Sequence, residues 1–86
     1  MQPHPVPARV PRGLLIQAER FAPDWPHAEV LFTDEQWRPA TIVAWCRYRR
    51  AWAALVRWAD GSEDWLVYNA RYLQRSFDHL GGWSEE

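Results

Sequence analysis

Residues Trp37–Leu73, WRPATIVAWCRYRRAWAALVRWADGSEDWLVYNARYL, hold five of the seven tryptophans and read as successive strands of one small sheet. Trp37 to Trp45 is β-branched and aromatic, bounded by the polar run Thr33-Asp34-Glu35-Gln36 before it and by Arg47, Arg49 and Arg50 after it. That pattern predicts a strand followed by an exposed connection. Pro39 falls near the start of the strand, where a missing backbone donor is tolerated. Trp52 to Trp58 reads as the next strand. Asp60-Gly61 between apolar runs is the strongest short hairpin signal, because glycine takes positive φ without steric cost. Asp64 to Tyr68 then reads as a strand, Asn69 to Leu73 as a single helical or 3-10 turn, and Gln74 to Ser76 as a closing strand.

Upstream of this stretch, Ala28 to Phe32 reads as a first strand, and Pro23, Asp24 and Pro26 break whatever precedes it. Leu14, Leu15, Ala18 and Phe21 fall near helical spacing, but the run is short and leaves helix and strand both open. Residues 1–12 carry Pro3, Pro5, Pro7 and Pro11, each fixing φ and lacking a donor, which predicts an extended or disordered tail. Gly81 and Gly82 loosen a C-terminal tail over 77–86. Short strands with tight connections and little helix predict a mainly β, SH3-like small barrel of about five strands over 28–76, with an apolar arm at 13–27. No internal repeat stands out; the pairs Asp24-Trp25 and Asp64-Trp65 are too short to count.

An 86-residue chain is one domain and buries roughly 60% of its unfolded surface. Apolar residues make up 48% and aromatics 15%, so the core depends on a few large rings. The net charge is −1 and every basic residue is arginine, which gives no overall pull toward nucleic acid or an anionic membrane. Cys46 is the only cysteine, so no intramolecular disulfide forms and a reducing cytoplasm is expected. Leu14, Leu15 and Ile16 fall far short of a membrane span or secretory core.

Alternation adds a constraint on the 37–45 strand. Ala40, Ile42 and Ala44 share one face; Trp37, Thr41, Val43 and Trp45 share the other. Both faces are apolar, and a small barrel has one interior, so the outer face needs a cover. The arm, with Leu14, Leu15, Ile16, Phe21 and Trp25, is the cover expected, which favours a monomer; a second subunit or a partner protein is the alternative.

Glu29 to Ser76 resembles the Tudor and chromo-barrel group of SH3-like barrels. The similarity lies in Pro39-Ala40-Thr41-Ile42, in Leu55-Val56-Arg57-Trp58 with an acidic turn behind it, and in Glu63-Asp64-Trp65-Leu66-Val67 leading to Arg71-Tyr72-Leu73. The resemblance implies an aromatic cage for a methylated lysine or arginine, in which ring faces and a nearby carboxylate attract the cation. It places Phe32, Trp58 and Asp60 at cage positions. Arg38 stands where the pattern has an aromatic, so Trp65 is the residue available to replace that wall.

The expected function is therefore a non-catalytic binding module that contacts a protein or peptide through an aromatic rim of Phe32, Trp37, Arg38, Trp58, Asp60 and Trp65. The alternative is nucleic-acid binding through Arg47, Tyr48, Arg49 and Arg50, where guanidinium groups meet phosphate and rings stack on bases. An enzyme is not expected. His4, His27, His79 and Cys46 match no metal or nucleophile spacing. Glu63 and Asp64 are adjacent on a strand and point to opposite faces, so they cannot work one bond as acid and base. No cofactor, metal or membrane partner is expected.

Overall fold

The computed structural model describes residues 2–15 and 17–76; the tail expected over 77–86, with His79, Gly81 and Gly82, lies outside the described residues. A 3-10 turn at Arg12–Leu15 is followed by β1 (Arg20–Phe21), β2 (His27–Leu31), β3 (Trp37–Tyr48), β4 (Ala51–Arg57), β5 (Glu63–Val67) and β6 (Leu73–Arg75). The segment left open between helix and strand is thus a short 3-10 turn and then a two-residue strand. All pairings are antiparallel, and the main sheet runs β5-β4-β3-β2-β6. The chain is mainly β, six antiparallel strands in an open sheet. The turn expected before the last strand forms on Asn69, whose carbonyl accepts from the Tyr72 and Leu73 amides while its side chain accepts from the Arg71 amide.

β3 is the longest strand because it serves two neighbours on one side. Its first half pairs with β2, Trp37 opposite Leu31 through Thr41 opposite His27, and its second half pairs with β1 at Trp45 and Cys46. On its other side β4 runs alongside, and there the register slips: Ile42 faces Val56 but Ala44 faces Leu55. One extra residue on β3 is a β-bulge, which exchanges the faces of everything beyond it.

This corrects the simple alternation expected for β3. Ala40 and Ile42 lie in one buried cluster with Ala28, Val30, Ala54, Val56, Leu66 and Leu73, and Trp45 packs against that same cluster. Ala44 and Cys46 lie in a second cluster, on the opposite face, with Ala53, Leu55 and Trp65. Cross-strand partners agree at every step: Trp45 pairs with Ala54 on the first face, and Cys46 with Ala53 on the second. Val30, Ile42, Val56, Leu66 and Leu73 are fully buried, each contributing about 1.5–3 kcal/mol.

The second face is covered from within the chain. Val10 and Leu15 are buried in the second cluster, and Ala18 packs against it. Leu14, next to Leu15, is exposed. Residues 4–10, expected as an extended or disordered tail, run extended between two parts of the sheet. The Val6 amide donates to the Leu31 carbonyl and the Thr33 amide to the His4 carbonyl; further on, Val10 donates to Trp65 and Val67 to Ala8, all at 2.8–2.9 Å. Pro5 and Pro7 alternate with the pairing residues His4, Val6 and Ala8, and Pro11 follows Val10, so the prolines leave the pairing intact.

Two turns repeat one design. In Trp58–Ser62 the Gly61 amide donates to the Trp58 carbonyl, the Trp58 amide to the Ser62 carbonyl, and the Ser62 amide to the Asp60 carboxylate. In Phe32–Gln36 the Glu35, Phe32 and Gln36 amides make the same three bonds, with Asp34 supplying the carboxylate. The fourth residue has positive φ in both, 89° at Gly61 and 66° at Glu35. An aromatic opens each turn, and the two rings meet edge to face at 5.4 Å.

Candidate binding surfaces

The turn pair builds the first aromatic surface. Phe32, Arg38, Trp58 and Asp60 come together, lining a depression of about 500 Å³ with Pro39 and Ala59. Its electrostatics are already satisfied internally. The Arg38 guanidinium lies over the Phe32 ring at 4.3 Å and is held there by Asp34 at 2.8 Å. That contact holds the Asp34 carboxyl below its usual range. The Asp60 carboxylate accepts from the Ser62 hydroxyl at 2.6 Å and from the Ser62 amide, which lowers its pKa as well. Trp58 donates its indole N–H to Asp64 at 2.7 Å.

The other two rim residues are elsewhere. Trp37 lines a separate groove of about 750 Å³ that also includes Trp58, Pro39, Glu29 and Arg57. Trp65 does not replace a cage wall. Strand alternation in β5 sends Leu66 to the first cluster and Trp65 to the second, where its ring is 4% exposed and lies under Arg20 at 5.5 Å. Trp65 is a core residue of the covered face.

A second aromatic surface lies at the opposite end of the sheet, and the sequence reading missed it. Phe21, Trp25, Trp45, Trp52 and Tyr68 line a cup of about 380 Å³, and among the described residues no other contributes to its wall. Phe21 meets Trp52 at 5.6 Å, Trp25 meets Trp45 at 5.8 Å, and Trp45 meets Tyr68 at 5.3 Å, with interplanar angles of 68–82°. Near-perpendicular rings are the arrangement their quadrupoles favour. The bulge makes this cup. It turns Trp45 onto the first face, opposite Ala54, where β1 brings Phe21 alongside. Trp25, Trp45 and Tyr68 pack against the first core cluster and so form a rigid floor, whereas Phe21 and Trp52 stand 40% and 37% exposed at the mouth. The only sequence signal was the surplus of aromatics over what one small interior can bury.

Arg47 of the arginine cluster borders this cup. Arg47 pairs with Trp52 across the β3–β4 hairpin, its guanidinium 5.1 Å from the indole centroid. Arg49 lies over Tyr48 at 5.2 Å and has a positive φ of 58°, and Arg50 completes the turn. Among the described residues these three arginines form no ion pair. Also among the described residues, no helix is long and apolar enough to cross a membrane and no group of three His, Cys, Asp or Glu side chains is placed to hold a metal ion. Compared with models of known families, with curated proteins and with solved structures, the chain matches none.

Proposed function

We propose that this chain is a non-catalytic binding module that receives an apolar anchor of a protein or peptide in the cup formed by Phe21, Trp25, Trp45, Trp52 and Tyr68. The observation that carries this reading is a pocket whose wall, among the described residues, consists of five aromatic rings. Such a wall offers large apolar area with little entropy to lose, the property of residues that dominate binding energy at interfaces. Aromatic-lined grooves also suit proline-rich segments, whose extended conformation is preformed. With Val10 and Leu15 covering the second face, the module functions as a monomer.

The Tudor-like reading of residues 28–76 belongs to this proposal at the level of a small barrel-like scaffold. Its cation cage does not carry over, because Arg38 fills the Phe32 face with a cation of the chain's own. Nucleic-acid binding through Arg47, Tyr48, Arg49 and Arg50 is the second reading, favoured by the absence of ion pairs at that turn among the described residues. It ranks lower because one face of Trp52 and one of Tyr48 are covered by arginine and are lost to base stacking.

Selection of displayed random peptides on the full chain tests the proposal. Wild-type protein should enrich sequences with a shared aromatic or proline anchor, and Phe21→Ala/Trp52→Ala, with its fold verified by its own melting curve, should lose them. Trp37→Ala, in the other groove, should leave the selection unchanged. Enrichment that survives loss of Phe21 and Trp52 would move the site elsewhere.

A further inference from the structure

We propose that the partner of the aromatic cup is an acidic peptide, with carboxylates flanking the apolar anchor and meeting Arg47, Arg49 and Arg50. This rests on the reading of the cup as a peptide site and names the chemistry of its ligand.

The distribution of charge carries the inference. Three arginines elsewhere face carboxylates of the chain itself: Arg38 is 2.8 Å from Asp34, Arg57 is 2.7 Å from Glu63, and Arg9 is 3.8 Å from Asp64, while Arg20 lies over Trp65 and Arg12 donates to the Glu63 carbonyl. The three ion pairs cluster around the β2–β3 and β4–β5 turns. The β3–β4 turn lies at the other end of the sheet and carries three arginines in four residues, Arg47 to Arg50, without an ion pair among the described residues. Glu19 and Asp24, the carboxylates closest in sequence to cup residues, likewise form no ion pair among the described residues.

Arg47 ties this charge to the cup. Its guanidinium rests against Trp52, a wall of the pocket, so a ligand seated among the rings passes within reach of a cation. A cationic ligand would meet like charge there and, among the described residues, find no carboxylate in the pocket wall. A carboxylate-bearing ligand instead gains charge-assisted hydrogen bonds from guanidinium groups that form no ion pair among the described residues. Charges at a rim act chiefly on association rate and selectivity, and they are screened by salt, whereas the anchor sets retention. The two parts of the surface are therefore separable by experiment.

The test compares the full wild-type chain with Arg47→Gln/Arg49→Gln/Arg50→Gln, both confirmed folded by their melting curves. Random dodecapeptides are selected on each. The best wild-type binder is then synthesised with its Asp and Glu residues intact or changed to Asn and Gln, and fluorescence anisotropy is measured at about 50 and about 300 mM salt. Oligothymidylate and oligouridylate are measured in parallel. Wild type should enrich Asp or Glu beside the anchor, and neutralising the peptide should weaken binding about tenfold at low salt, three exposed pairs each contributing modestly. The arginine variant should keep the anchor preference, lose the acidic enrichment, and bind both peptides alike.

A shared anchor with no acidic preference, or equal affinity for acidic and neutral peptides, would overturn this inference and leave the aromatic cup as the peptide site. No shared anchor would overturn both. Oligonucleotides bound more tightly than any selected peptide, through the same arginines, would replace the peptide with nucleic acid.

Discussion

Leu14 and Leu15 are adjacent, chemically identical and oppositely placed, which makes them a controlled test of how the second face is covered. Leu15 is 2% exposed within the cluster of Ala44, Cys46, Ala53, Leu55 and Trp65, whereas Leu14 is 58% exposed. Changing Leu15 to Ala removes three buried carbons, about 2.4 kcal/mol at ~0.8 kcal/mol per methylene, and leaves a cavity whose cost brings the total to about 3–4 kcal/mol. A chain of 86 residues has roughly 4–13 kcal/mol of total stability, so the loss is a large share of it. At ~4–8 °C per kcal/mol for a domain of this size, the melting temperature of Leu15→Ala should fall by at least about 12 °C. Leu14→Ala should stay within ~0.5 kcal/mol of wild type, as exposed substitutions do. Urea unfolding followed by tryptophan fluorescence measures both, with the slope checked for constancy so that the midpoint shift reports stability. Equal melting of the two variants would mean that the arm does not hold the second face, and a subunit or partner would have to be sought for it.

Two further outcomes follow from the repeated turns. Glu35 occupies with φ 66° the place that Gly61 fills in the sister turn, so Glu35→Gly should raise stability by up to ~1 kcal/mol, relief of left-handed strain exceeding the added chain entropy; a lower melting temperature would mean that the Glu35 side chain has a role of its own. The Asp60 carboxyl is held below its usual range by the Ser62 hydroxyl and amide, so its contribution is present above the ordinary carboxylate pKa of ~4 and is lost as pH falls through the lower folded value. Asp60→Asn should therefore flatten the fall in melting temperature below about pH 4 and leave its pH dependence at neutrality unchanged; an acid profile identical to wild type would place the acid-sensitive group elsewhere.

Strands were legible because their residues are. The runs 28–32, 37–45, 52–58 and 64–68 each differ from the observed strands by a few residues at the ends, and Asp60-Gly61 marked a real turn. The bulge was not legible: Ile42-Val43-Ala44-Trp45 is apolar throughout, so no polar residue reports which side of the strand faces water, and a one-residue slip leaves the composition unchanged. Misplacing Trp45 hid the cup, whose five rings also come from five separate segments. The N-terminal residues were read as a tail because prolines suggest an unpaired chain, although a strap that pairs only at residues between prolines satisfies the same composition. The kinship of the Phe32 and Trp58 turns went unseen because FTDEQ and WADGS share only an aromatic first residue and a central aspartate.

Those two letters decide how the ends of the sheet differ. At the turn-pair end, each aspartate closes its own loop, and Asp34 additionally positions Arg38 on Phe32, so ring, cation and carboxylate satisfy one another. An incoming cation would have to displace Arg38 and break its pair with Asp34. At the hairpin end, the connection is only Arg49-Arg50 and carries no aspartate, and among the described residues Arg47 reaches Trp52 without a carboxylate to hold it. The first surface resembles a binding site in composition but has its ligand built in; the second has the rings and the charge with nothing among the described residues to neutralise them. Arg38→Ala is therefore expected to vacate the Phe32 face and leave the peptide selection at the proposed cup unchanged, while substitutions at Phe21 or Trp52 should abolish that selection.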